Sequence, residues 1–134
     1  MVLRLRVRIC RGERCVEGVA VANTGFAGGE PEITLPQSLA PRLLGESVQL
    51  AFVERILADG SRVALARTSE KLDVYLVTGE GLRGPVGAHA YLIPSGVILL
   101  NDKLLSELGV VVIDPWEGIW CFREEIGKRE RRGL

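Results

Sequence analysis

The residues with the clearest capacity for chemistry lie in one stretch, Val21-Ala22-Asn23-Thr24-Gly25-Phe26-Ala27-Gly28-Gly29-Glu30-Pro31-Glu32-Ile33-Thr34-Leu35-Pro36. A β-branched and alanine run delivers a small polar tripeptide, Asn23-Thr24-Gly25, into a Gly/Pro-rich segment that recovers as an apolar run. An asparagine amide donates and accepts hydrogen bonds but neither takes up nor releases a proton near neutral pH. General acid–base catalysis needs a group that does, so the tripeptide offers binding chemistry rather than proton transfer. Other signals are weaker. Asp59-Gly60-Ser61 reads as a hairpin turn between two strand-like runs. His89 is the one histidine, without a carboxylate cluster nearby in sequence, and reads as a sheet histidine with no chemical role. Gly79 to Gly87 is glycine-rich and reads as a loop; with no Lys-Ser/Thr ending and no helix after it, it is not a phosphate cradle. No His/Cys/Asp/Glu spacing suits a metal and no cofactor signature is present, so neither is expected.

Composition sets the frame for these residues. The chain has 134 residues, seventeen basic and seventeen acidic, with a formal net charge of zero. That is one domain with room for a core, and it gives no electrostatic case for nucleic acid. No stretch approaches the roughly 20 apolar residues of a membrane span, and the opening alternation of arginine with aliphatics is neither signal peptide nor anchor. A cytoplasmic protein with no membrane partner is expected. Lysines number three against fourteen arginines, and asparagine and glutamine occur twice each; scarce amides fit a thermophilic source. Of three cysteines, Cys10 and Cys15 bracket a four-residue loop, Arg11 to Arg14. They are expected to be reduced, a disulfide requiring a thermophile with oxidised intracellular proteins.

The elements that must position these residues are mostly strands. Leu3, Leu5, Val7 and Ile9 alternate with Arg4, Arg6 and Arg8, a period of two that points aliphatics inward. Val16 to Ala22 forms a second strand ending at Asn23. Pro36 to Leu44 reads as a short helix stopped by Gly45. Ser47 to Leu57 and Arg62 to Ser69 are paired strands, followed by a strand from Lys71 to Thr78 and another from His89 to Pro94. Val97 to Leu100 is an apolar buried strand, and Asn101 caps a short helix over Asp102 to Leu108, closed by Gly109. Val110 to Ile113 and Ile119 to Phe122 complete the sheet. Residues 123–134 form a charged tail, frayed or weakly helical. The sum is a mainly β sandwich or barrel with two short helices.

Three segments, in order, carry a resemblance to a known family. Asn23-Thr24-Gly25-Phe26 with Leu35-Pro36, the hairpin Leu57-Ala58-Asp59-Gly60-Ser61-Arg62-Val63, and Leu99-Leu100-Asn101-Asp102-Lys103-Leu104-Leu105 through Gly109 resemble the active-site turn, flap and late strand–helix of small retropepsin-like (clan AA, retroviral-type) aspartic proteases. The resemblance covers residues 1–122. It implies an acid-protease barrel in a symmetric homodimer, with residues 23–25 at the catalytic position and Phe26, Asp59, Gly60 and Ser61 at the substrate. In that family two subunits each give one aspartate, and the closely spaced pair shares a proton. Here Asn23 stands at the aspartate, and Asn101 at a usual glycine. Thr24 is expected to bond across the dimer axis or to its own turn, and Gly25 to permit a tight backbone. Glu30 and Glu32 are the substitute carboxylates nearest in sequence, but their proline-bound insert is expected to be exposed.

Three functions compete. The first is a catalytically degenerate homodimer holding extended peptide under its flaps through main-chain hydrogen bonds. The second is an active aspartic-type peptidase, using an unrecognised carboxylate or a carboxylate pair regained at position 23 by deamidation or as a restored aspartate. The third is an unrelated all-β ligand-binding barrel, which a chain monomeric at every concentration would favour.

Overall fold

The computed structural model describes residues 3–23, 25–94 and 96–134. The arginine–aliphatic alternation forms β1 (Arg4–Arg11), whose Leu5, Val7 and Ile9 are buried while Arg4 and Arg6 are exposed. It turns into β2 (Arg14–Ala22) through Gly12 and Glu13 alone, since Arg11 and Arg14 are already paired. Gly12 has φ 59°, a conformation that costs glycine little. Cys10 pairs directly with Cys15 in this register, and the two form a disulfide. The expectation of free thiols is thereby corrected: the register brings the two β-carbons face to face.

β3 (Glu32–Pro36) is buried along its whole length, and α1 (Ala40–Leu44) follows a turn over residues 37–39. The helix was expected from Pro36, but Pro36 ends the strand and Pro41 takes the first helical turn, where its missing N–H costs nothing. Gly45, at φ 65°, stops the helix as expected. β4 (Leu50–Ile56) and β5 (Arg62–Thr68) form an antiparallel hairpin across seven residue pairs. β6 (Leu72–Thr78) then turns through Gly79 and Glu80 into β7 (Gly81–Ile93).

Of the glycine-rich segment expected as a loop, only Gly79 and Glu80 form a turn; Gly81 to Gly87 is the first half of a thirteen-residue strand. The glycines mark an irregular register, which shifts between Val74 and Leu76. At Gly84, with φ 120°, a β-carbon would come within 2.8 Å of the Val74 carbonyl oxygen. The strand needs glycine there to stay close to its neighbour.

β8 (Ile98–Leu100) leads into α2 (Asp102–Glu107), then β9 (Val110–Asp114), β10 (Ile119–Phe122), a 3-10 turn (Arg123–Glu125) and β11 (Arg131–Arg132). The strand order β3-β8-β2-β1-β6-β7 closes on itself because β3 also pairs with β7, giving a six-stranded barrel. Beyond β7 the sheet continues through β5 to β4, so that hairpin projects from the barrel. The mainly β barrel with two short helices stands as expected. One core fills it, built from the inward residues of β1, β2, β3, β6, β7 and β8 with Leu43, Leu104, Leu105, Leu108 and Phe122.

The C-terminal residues are not frayed. β11 pairs with β10, and the Leu134 amide donates to the Arg4 carbonyl at 2.8 Å. Arg131 is ion-paired to Glu80 and Glu125 and lies over the Trp120 and Phe122 rings. Among the described residues, no helix is long and apolar enough to cross a membrane.

Candidate functional site

β2 ends between two neighbours: the Ala22 amide donates to Leu3 of the chain's start and the Asn23 amide donates to Leu100 at the end of parallel β8, each at 3.0 Å. The chain then reverses. Asn23 Oδ1 accepts from the Gly25 amide at 3.0 Å and the Asn23 carbonyl accepts from the Phe26 amide at 3.1 Å, a side-chain-closed turn of the kind asparagine and aspartate both make. The turn is tied to α2 by the Asp102 amide, which donates to the Phe26 carbonyl at 3.2 Å. Gly25 is exposed, and a β-carbon there would lie 3.3 Å from Asn23 Oδ1. Thr24 falls outside the described residues.

Facing this turn is the β4–β5 hairpin. Its tip is closed by Leu57 N–H to the Ser61 carbonyl at 2.8 Å and Gly60 N–H to the Leu57 carbonyl at 2.9 Å, with Gly60 at φ 85°. Asp59 accepts from the Ser61 hydroxyl at 2.6 Å and the Ser61 amide at 2.8 Å. Those bonds, the hydroxyl's first, hold its carboxyl below the usual carboxylate range. A cleft of about 660 Å³ opens between turn and hairpin. Phe26 lines it with Gly25 and Ala27 on one side, and the hairpin stem contributes Arg55, Ile56, Leu57 and Ala58. Asp59, Gly60 and Ser61 are exposed at the tip and are not part of the lining.

Under the cleft lies a charged cluster that sequence reasoning missed. Glu32, expected to be exposed, is only 3% exposed. Along β3, Ile33 and Leu35 face the core, so alternation sends Glu32 and Thr34 to the outer face, and the hairpin covers that face. Glu32 Oε2 accepts from the Tyr91 hydroxyl at 2.8 Å and from Arg67 Nη1 at 2.9 Å. Arg55 Nη2 stands 3.6 Å from Glu32 Oε1, which among the described residues accepts no hydrogen bond. Burial first, then the bond to Glu32, push the Tyr91 hydroxyl above its ordinary pKa. The phenol therefore stays protonated and donates.

Arg55 also fastens the hairpin to the turn. Its Nη2 donates to the Ala27 carbonyl at 2.8 Å, and its guanidinium lies 5.8 Å from the Phe26 ring centroid and 5.5 Å from that of Tyr91. Both distances suit cation–π attraction. Behind the turn, fully buried Asn101 stitches the insert to α2. Its Oδ1 accepts from the Leu104 and Glu32 amides, both at 3.0 Å, and its Nδ2 donates to the Glu30 carbonyl at 2.9 Å. The first of these bonds is the helix cap expected from sequence; the other two were not legible there. His89 Nδ1 lies 2.9 Å from the Thr68 carbonyl, which only accepts, so that nitrogen carries the proton. Its Nε2 stands 3.7 Å from exposed Glu30.

Among the described residues, no group of three or more His, Cys, Asp or Glu side chains could hold a metal ion. Among the described residues, Glu54 is the one carboxylate lining the cleft, and it is ion-paired to Arg62 at 2.9 Å. The arrangement therefore offers hydrogen-bond donors, aromatic faces and aliphatic walls. No family model matches this chain, and no curated protein does.

Proposed function

We propose that this chain is a catalytically degenerate retropepsin-like module that works as a homodimer and holds extended peptide between the Asn23 turn and the β4–β5 hairpin. The observation that carries the reading is the turn itself: Asn23 follows the end of β2, its oxygen closes the turn on the Gly25 amide, and that turn carries Gly25, Phe26 and Ala27 into the lining of the cleft, which Asn23 itself does not line. The family's chemistry would need a carboxylate there, and an amide pair supplies no proton exchange. A projecting hairpin beside the cleft supports a flap, and a peptide laid beneath it would bond through its main chain. Pairing of two copies follows from the same reading, because a single turn is half of a two-fold site.

The test is cleavage of an unstructured protein substrate from pH 3 to 7 by the native chain and by Asn23→Asp, with sedimentation of both. An aspartate oxygen accepts the Gly25 amide as the amide oxygen does, so the variant keeps the turn. Cleavage by the variant alone, from a dimer, is the expected result. Cleavage by the native protein that persists in Asn23→Ala overturns the degenerate reading. A native chain monomeric at every concentration overturns the retropepsin-like one.

A further inference from the structure

We infer that the cleft beside Phe26 takes a peptide carboxylate, from an acidic side chain or a C-terminus, on Arg55, with the adjoining apolar side chain seated among Phe26, Leu65 and Leu99. The inference rests on the cleft being a peptide site.

The charge count points to an anion. Two guanidiniums, Arg55 and Arg67, share the single carboxylate of Glu32. Glu32 gives Oε2 to Arg67 and Tyr91, leaving Arg55 its longer 3.6 Å approach to Oε1. Of the other carboxylates nearby, Glu54 is committed to Arg62 at 2.9 Å, and Glu30 is exposed beside the His89 ring, with no ion pair to Arg55. Among the described residues Arg55 has Glu32 as its sole ion-pair partner and shares it with Arg67, so its charge is only partly compensated.

Arg55 can use it. Of its five N–H donors, only those on Nη2 have a partner among the described residues, while Nε and Nη1 have none. Its side chain is 30% exposed and lines the cleft. It is also held in place by the Ala27 carbonyl and two aromatic faces, so little rotamer freedom is lost when a carboxylate arrives. The neighbouring walls are apolar, from Phe26, Leu65, Leu99, Ile56 and Leu57. A carboxylate with an apolar neighbour matches both halves, and Arg55 repels a cation placed beside it.

The test uses the full chain and two matched pairs of peptides. The first is Ac-Ala-Val-Ala-Val-Phe with a free carboxylate or as its amide. The second is Ac-Ala-Val-Phe-Glu-Val-Ala-amide against the same peptide with Gln for Glu. A charge-assisted hydrogen bond predicts that the acid of at least one pair binds about 10- to 100-fold tighter than its neutral partner. The gap should shrink in high salt, and which pair shows it identifies the carboxylate's source. Arg55→Gln should bring acid and neutral peptides together. Because that variant also releases Ala27, the acid-to-neutral ratio in the native chain is the deciding number. Equal binding of both partners in both pairs overturns the carboxylate inference while leaving the peptide site standing. The peptide-independent probes are 3-phenylpropionate and 3-phenylpropionamide, read by amide shifts at Gly25 and Ala27. Shifts with the acid alone, and no peptide binding, would keep the anion site and remove the peptide reading. No response to any probe overturns both.

Discussion

Asn101 offers the sharpest test of how the site is held together. Replacing it by alanine removes three hydrogen bonds at once from a side chain with no solvent access. Loss of the α2 cap costs about 1 kcal/mol. The Glu32 amide, at the start of a wholly buried strand, loses its acceptor, and an orphaned buried donor costs about 1–3 kcal/mol. The bond to the Glu30 carbonyl is nearer solvent and adds little. Together these give about 3 kcal/mol, or a fall in Tm of about 10 °C for a chain of 134 residues. Urea unfolding followed by circular dichroism measures the loss, and hydrogen exchange at the Glu32 and Leu104 amides shows whether it is local. Asn101→Asp keeps the acceptor for both amides but sets a carboxylate oxygen where Nδ2 lies 2.9 Å from the Glu30 carbonyl. It should preserve protection at Leu104 yet be no more stable than the alanine variant at pH 7, because it also buries a charge. A loss below about 1 kcal/mol in Asn101→Ala, with exchange at Glu32 unchanged, would refute the assigned role.

The same packing sets other outcomes. A β-carbon on Gly28 would meet Glu32 Oε1 at 2.8 Å, whereas one on Gly29 meets nothing within 4 Å. Gly28→Ala should therefore lose about 1–3 kcal/mol by denaturant unfolding and Gly29→Ala nearly nothing; equal losses would mean the insert does not rest on Glu32. Reducing Cys10–Cys15, a bridge with sequence separation 5, should cost about 2 kcal/mol on the chain-entropy estimate for so short a loop, read as the difference in unfolding with and without reductant. Hydrogen bonds from Arg131, then from the Phe122 amide, hold Glu125 down from 4.5 to about 2. A depressed folded pKa gives stability that is complete above the unfolded value and lost as pH falls toward the folded one. Acid unfolding between about pH 4.5 and 2 should therefore be shallower in Glu125→Gln than in the native chain; parallel curves would remove Glu125 from the acid response.

Much of the architecture was legible because it is written in short-range signals. The alternation from Leu3 to Ile9 specifies a strand with one buried face, and the Asp59-Gly60 dipeptide specifies a hairpin turn, each within a few residues. Asn101 announces a helix cap for the same reason, its acceptor reaching an amide three residues on. Where glycine served a register shift instead of a loop, at Gly84, the local signal misled, since both uses need the same freedom of backbone. The C-terminal residues misled likewise: their charges read as solvated, yet Arg131 finds its partners at Glu80, 51 residues away, as well as at Glu125.

The site divides along the same line. By itself the sequence determined that residue 23 is an amide, that a turn follows it and that a hairpin is available to face it. Only the tertiary structure decided that Glu32 is buried and that Arg55, Arg67 and Tyr91 surround it. Those partners lie up to 59 residues from Glu32 along the chain, and they meet because β3 closes the barrel on β7 while β5 extends it. An outer-face carboxylate looks solvated in any one-dimensional reading. Whether it is solvated depends on what later folds across that face, and here the β4–β5 hairpin brings its own two arginines to cover it.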